Sequence, residues 1–131
     1  MLDHSIRVTI DEAIKLITFR VRGAPPSAEI VDTMLGTLTS LREPWAYNQI
    51  FDYRQMTGLV DGADVKRVGD FWAQMKMPPE AFVKVCIVSE DPLIQARVTG
   101  FKSLLVQADA RAVRKMYQAL DWLGCGQSDA A

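Results

Sequence analysis

Hydrophobic residues in this chain follow two periods, and the changes between them mark out its elements. Ile6, Val8 and Ile10 alternate with polar residues, as a half-buried strand requires. After a turn at Asp11-Glu12, a second strand is expected from Leu16 to Val21, with Ile17, Phe19 and Val21 on one face. Two strands this close in sequence should pair as a hairpin. Gly23-Ala24-Pro25-Pro26 breaks the alternation, and Ser27 is a candidate N-cap. Ile30, Val31, Met34, Leu35, Leu38 and Leu41 then recur at helical spacing, predicting an amphipathic helix ended by Pro44. A third strand is expected over residues 47–54. A second helix should follow from about Ala63, with Val65, Val68, Phe71, Trp72 and Met75 inward and Pro78-Pro79 as its stop.

The densest apolar run is Phe82-Val83-Lys84-Val85-Cys86-Ile87-Val88, interrupted only by Lys84 and closed by Ser89-Glu90-Asp91-Pro92. A β-branched run this continuous predicts a strand buried on both faces. Its polar stop, with Pro92 at the first turn, predicts a helix start. Leu93, Ile94, Val98, Phe101, Leu104 and Leu105 are that helix's inward positions. A short charged edge strand is expected over residues 110–115. A last helical turn, Ala119-Leu120-Asp121-Trp122-Leu123, is capped by Gly124. The order is β-β-α-β-α-β-α-β-α. Strand–helix–strand units in series imply right-handed parallel crossovers, and the hairpin adds one antiparallel pair. The expected fold class is α/β: a single-layer mixed β-sheet with packed helices.

Composition narrows the possibilities. The 131 residues suit one domain, expected over 1–125 with a small, polar tail over 126–131. With 49% hydrophobic and 24% charged residues, the chain can fold around a core without disulfides or metal. The net charge is -1 and the basic residues are scattered among acids, which disfavours nucleic acid or an anionic membrane surface as partner. Cys86 and Cys125 offer no disulfide framework, and the N-terminus shows no basic-then-apolar leader. No apolar run approaches the ~20 residues that span a bilayer. A cytoplasmic location is the expectation.

Candidate chemistry is sparse. No phosphate-binding loop or nucleophile elbow occurs, and His4 is the single histidine, so neither a metal cluster nor a cofactor is expected. Asp52 and Arg54 share one face of the third strand, Thr57 and Asp61 follow it, and Ser89 and Asp91 close the next strand. Ligands in open α/β sheets collect beyond the carboxyl ends of strands, so these six residues are candidates for a rim site facing a ligand or partner. Helix capping and an Asp52–Arg54 pair account for the same residues without any site. The second candidate is an apolar pocket at Phe71, Trp72, Met75 and Met77.

Several of these segments resemble the SpoIIAA-like (STAS/SEC14-like) domain family over nearly the whole chain. They are the strand Val85-Cys86-Ile87-Val88 with its acidic stop, the basic strand Ala112-Val113-Arg114-Lys115, the ending Ala119-Leu120-Asp121-Trp122-Leu123, and Phe51-Asp52 at the end of the third strand. The resemblance implies a mixed sheet with helices, often dimeric, and a regulatory or protein-interaction role without catalysis. Related STAS domains carry a phosphorylated serine at the helix start after the third strand's loop. The corresponding Val60-Asp61-Gly62-Ala63-Asp64 has no hydroxyl, and Thr57 lies too early. The expectation is therefore a non-enzymatic, homodimeric regulatory domain lacking that phosphoswitch. A carrier or sensor of a small apolar, lipid-like ligand is the alternative.

Overall fold

A computed structural model describes residues 4–102 and 105–125. Leu104 and the expected tail over 126–131 lie outside the described residues. The elements are β1 (Ser5–Asp11), β2 (Leu16–Gly23), α1 (Ser27–Thr39), a 3-10 turn (Pro44–Ala46), β3 (Asn48–Met56), α2 (Gly62–Gln74), β4 (Val83–Val88), α3 (Pro92–Lys102), β5 (Ala108–Val113) and α4 (Met116–Trp122). The strands form one sheet in the order β1-β2-β3-β4-β5. β1 runs antiparallel to β2, and β2 to β5 are mutually parallel. The mixed α/β sheet read from the sequence is the architecture present.

Its boundaries differ where long-range pairing decides them. β3 continues past Arg54 because Gln55 and Met56 pair with Arg22 and Gly23. β5 starts two residues before the expected 110, since Ala108 and Asp109 pair with Val83 and Lys84. α1 stops at Thr39, before Pro44, and Pro44, itself buried, instead opens the 3-10 turn. α4 begins at Met116, where Gln118 Oε1 accepts the backbone N–H groups of Arg114 and Lys115.

Because each parallel crossover repeats the same hand, α1, α2 and α3 all lie on one face of the sheet. The core there joins Ile17, Phe19, Phe51, Val85 and Ile87 to Val31, Met34, Leu38, Val68, Trp72, Ile94 and Val98. Phe19 and Phe51 stack with ring centroids 4.6 Å apart. On the opposite face α4 alone covers Leu16, Ile50, Cys86 and Val88, through Ala119 and Leu123. β4 is thus buried on both sides, which explains its unbroken apolar run. Burial pushes the Cys86 thiol up to about 11, as befits a core residue rather than a nucleophile.

Lys84 interrupts that run for a reason seen only in three dimensions. Its Nζ lies 5.4 Å from the centre of the Trp122 ring and donates to the Trp122 carbonyl at 3.4 Å. Arg111 approaches the same ring at 4.8 Å. Two cations therefore sit at the C-terminus of α4, where the helix dipole favours positive charge. The helix closes as predicted at Gly124, whose φ is +78°. Gly124 N–H donates to Asp121 O and Cys125 N–H to Leu120 O, a Schellman end.

One residue sits oddly in the core. Ile10, Ile17, Gln49, Val85 and Ala110 form a row across the five strands, and Gln49 is fully buried within it. Neither atom of its amide has a hydrogen-bond partner among the described residues. An unpaired buried amide costs ~1–3 kcal/mol. Gln49→Met, close in shape and apolar, is expected to stabilise the protein by ~1 kcal/mol in urea unfolding. A loss of stability would show instead that the amide is bonded.

Candidate functional site

The helices above β3 and β4 do not fill the space they enclose. An apolar cavity of about 120 Å³, partly open to solvent, remains there. Phe51 and Tyr53 of β3 and Val85 and Ile87 of β4 form its floor. Met34 of α1, Val68 and Trp72 of α2, and Ile94 and Val98 of α3 form the roof. Leu59 and Val60 close one side, and Arg97 ties that loop to α3 by donating to the Val60 carbonyl at 2.7 Å. The volume is near that of an engineered cavity, ~150 Å³, that takes up benzene, and below the ~300 Å³ of a drug-sized pocket.

Tyr53 supplies a polar group in this lining, and its hydroxyl makes no hydrogen bond among the described residues. Burial alone holds its pKa well above the ordinary phenol value. The phenol therefore stays neutral and can donate a hydrogen bond.

Strand alternation puts Tyr53 on the cavity side with Phe51, and beside it the sheet is irregular. Between two consecutive register points, β2 advances from Arg20 to Arg22 while β3 advances from Asp52 to Gln55. β3 carries one extra residue there, a bulge that re-aims side chains. On the face away from the cavity it gathers Arg20, Asp52, Arg54 and Gln55 around a depression. Asp52 is only 3% exposed. Arg54 Nε donates to its Oδ1 at 2.9 Å and Arg54 Nη2 to its Oδ2 at 2.8 Å. The Arg54 backbone N–H and Arg20 Nε add bonds of 3.2 and 3.1 Å. Burial raises the Asp52 pKa and is the largest single effect. The bonds from Arg54 and Arg20 together outweigh it, so the carboxyl titrates below its ordinary value.

The other rim candidates are occupied elsewhere. Thr57 is exposed, and its backbone N–H donates to Gly23 O at 2.9 Å. Asp61 is the N-cap of α2, without a side-chain cap bond. Its backbone N–H donates to Ser27 Oγ at 2.8 Å, and that hydroxyl donates to Asp64 Oδ2 at 2.7 Å. Ser27 thus pins α2 rather than capping its own helix, whose N-cap is Pro26. Ser89 Oγ accepts the Asp91 N–H at 3.0 Å, and Asp91 Oδ1 caps α3 by accepting the Leu93 N–H at 2.9 Å. Of the six, only Asp52 and Arg54 meet in the depression.

Among the apolar candidates, Trp72 lines the cavity. Phe71, Met75 and Met77 pack against the surrounding core without lining it. Phe71 is turned edge-on to Trp72 at 5.4 Å, and α2 ends at Gln74, before either methionine. Arg20 and Tyr53 were not singled out by pattern. Alternation along β2 does place Arg20 opposite Phe19 and Val21, but its pairing with Asp52 needs the register. Among the described residues, no cluster of His, Cys, Asp and Glu could hold a metal ion, and no helix is long and apolar enough to cross a membrane.

No protein-family model matches the chain, and no curated protein matches it. A solved structure does: an uncharacterised DUF3478-family protein with a SpoIIAA-like fold from Shewanella loihica PV-4. It aligns with a TM-score of 0.61 over 94% of this chain and 95% of that one, at 14% sequence identity. The chain therefore has a SpoIIAA-like fold.

Asp52→Ala would leave two guanidinium groups facing each other. A loss of ~2 kcal/mol at pH 7 is expected, held to that size because both arginines are about half exposed. The folded-state pKa is depressed, so the wild-type advantage is complete above the unfolded value of about 4 and disappears as pH falls through the folded one. Urea unfolding of both proteins between pH 7 and pH 3 checks this. A stability gap that widens on acidification would contradict it.

Proposed function

We propose that this protein is a non-enzymatic regulatory or interaction domain that responds to a small apolar ligand held beneath α1, α2 and α3. The observation that carries this reading is the cavity itself, lined by apolar side chains apart from Arg97 and the Tyr53 hydroxyl, which is unbonded among the described residues. The side chains leave about 120 Å³ unfilled there, and the Tyr53 hydroxyl beside it has no hydrogen-bond partner among the described residues. A ligand that fills the space removes the apolar lining from water and can accept a hydrogen bond from Tyr53. The size favours one aromatic ring or a short alkyl chain. Support for a regulatory role, and for a homodimer, comes from the SpoIIAA-like fold, and the engagement of Ser89, Asp61 and Asp91 in helix starts accords with a role outside catalysis. Sedimentation of the purified chain tests the dimer.

Acetophenone and ethylbenzene, alike in size but differing in a carbonyl acceptor, separate the two contributions in an NMR titration. Both are expected to shift resonances of Phe51, Val68 and Val98, with acetophenone binding several-fold more tightly. Tyr53→Phe should erase that preference. Val98→Leu, which narrows the cavity, should weaken both ligands. The reading fails if neither probe shifts the cavity residues, or if Val98→Leu binds both as wild type does.

A further inference from the structure

The sheet face opposite the cavity carries charge that the fold does not use. Register places Arg7 directly across from Arg20, Arg20 beside Asp52, and Arg22 beside Gln55. Adjacent strands lie ~4.8 Å apart, so Arg7, Arg20, Arg22 and Arg54 share one patch with a single carboxylate. Three positive charges are left unmatched there in a chain whose net charge is -1. Arg7 and Arg22 are exposed and make no ion pair among the described residues. Like charges directly opposite each other across two strands destabilise the pair, so the arrangement opposes folding.

The centre of the patch is organised. Asp52 engages Arg20 through Nε alone, and Arg54 through Nε and Nη2. Among the described residues, both terminal nitrogens of Arg20 and Nη1 of Arg54 have no acceptor. Their side chains are 53% and 44% exposed, while the carboxylate that orients them is buried. Gln55 borders the same depression. Guanidinium groups fixed in this way are matched to a compact anion with several oxygens.

We propose that this depression binds the phosphate monoester of a small soluble molecule, held by Arg20 and Arg54 and attracted by Arg7 and Arg22. A dianion suits a surplus of three charges better than a carboxylate does. The rest of the molecule carries the balancing negative charge, which opposes an extended polyanion or an anionic membrane. The site is separate from the cavity, and either can fail without the other.

Titration of the full chain with phenyl phosphate at low salt, followed by amide NMR, tests the proposal. Saturable shifts are expected at Arg20, Asp52 and Gln55. An Arg7→Gln/Arg22→Gln double variant, which breaks no ion pair in the fold, should bind about tenfold more weakly with an unchanged or higher Tm. Arg20→Gln should lose at least as much, and benzoate should bind at least fivefold more weakly than phenyl phosphate. Four results would overturn the assignment: no saturable shift at these residues, unchanged affinity in the double variant, equal binding of benzoate, or sedimentation with phosphatidic acid vesicles that phenyl phosphate does not displace.

Discussion

The extra residue in β3, set against Val21 of β2, is the constraint that sets the charged depression apart from the cavity. Without it, strict alternation would carry Gln55 to the face of Phe51 and Tyr53, away from Asp52. With it, Tyr53 stays under the helices while Asp52, Arg54 and Gln55 gather on the other side. A bulge between parallel strands is uncommon and weakens the ladder locally. Here the bidentate Arg54–Asp52 pair spans it, tying its two ends together.

β3 also concentrates the molecule's uncompensated polarity. Gln49, Phe51 and Tyr53 follow one another on the helix-covered side. Among the described residues the side chains of the two polar members both lack a hydrogen bond, yet their settings differ. Gln49 is sealed in a row of aliphatic side chains, whereas Tyr53 borders open volume. A ligand can satisfy the phenol without moving the backbone, and none can reach the amide without opening the core.

Element order was legible in the sequence because the periods were clean. The β4 run announced burial on two faces, and Gly124 announced the end of α4. What pattern alone could not deliver was register. The extension of β3 to Met56, the bulge and the Arg20–Asp52 contact are all set by a neighbouring strand. Phe71 and Trp72 are adjacent on one helix, about 100° apart around its axis, so composition could not tell which faces the sheet. The arginine patch was hidden for a related reason. Arg7, Arg20, Arg22 and Arg54 are dispersed along 48 positions and read as scattered charge until three strands bring them together.

The short α4 has a geometric corollary. Seven residues span only about 10 Å, whereas five strands make a sheet roughly 19 Å wide. The helix can therefore roof barely half of that width, and the left-handed turn at Gly124 fixes where the roof stops. Gly124 thus acts as a ruler for the surface that α4 leaves open.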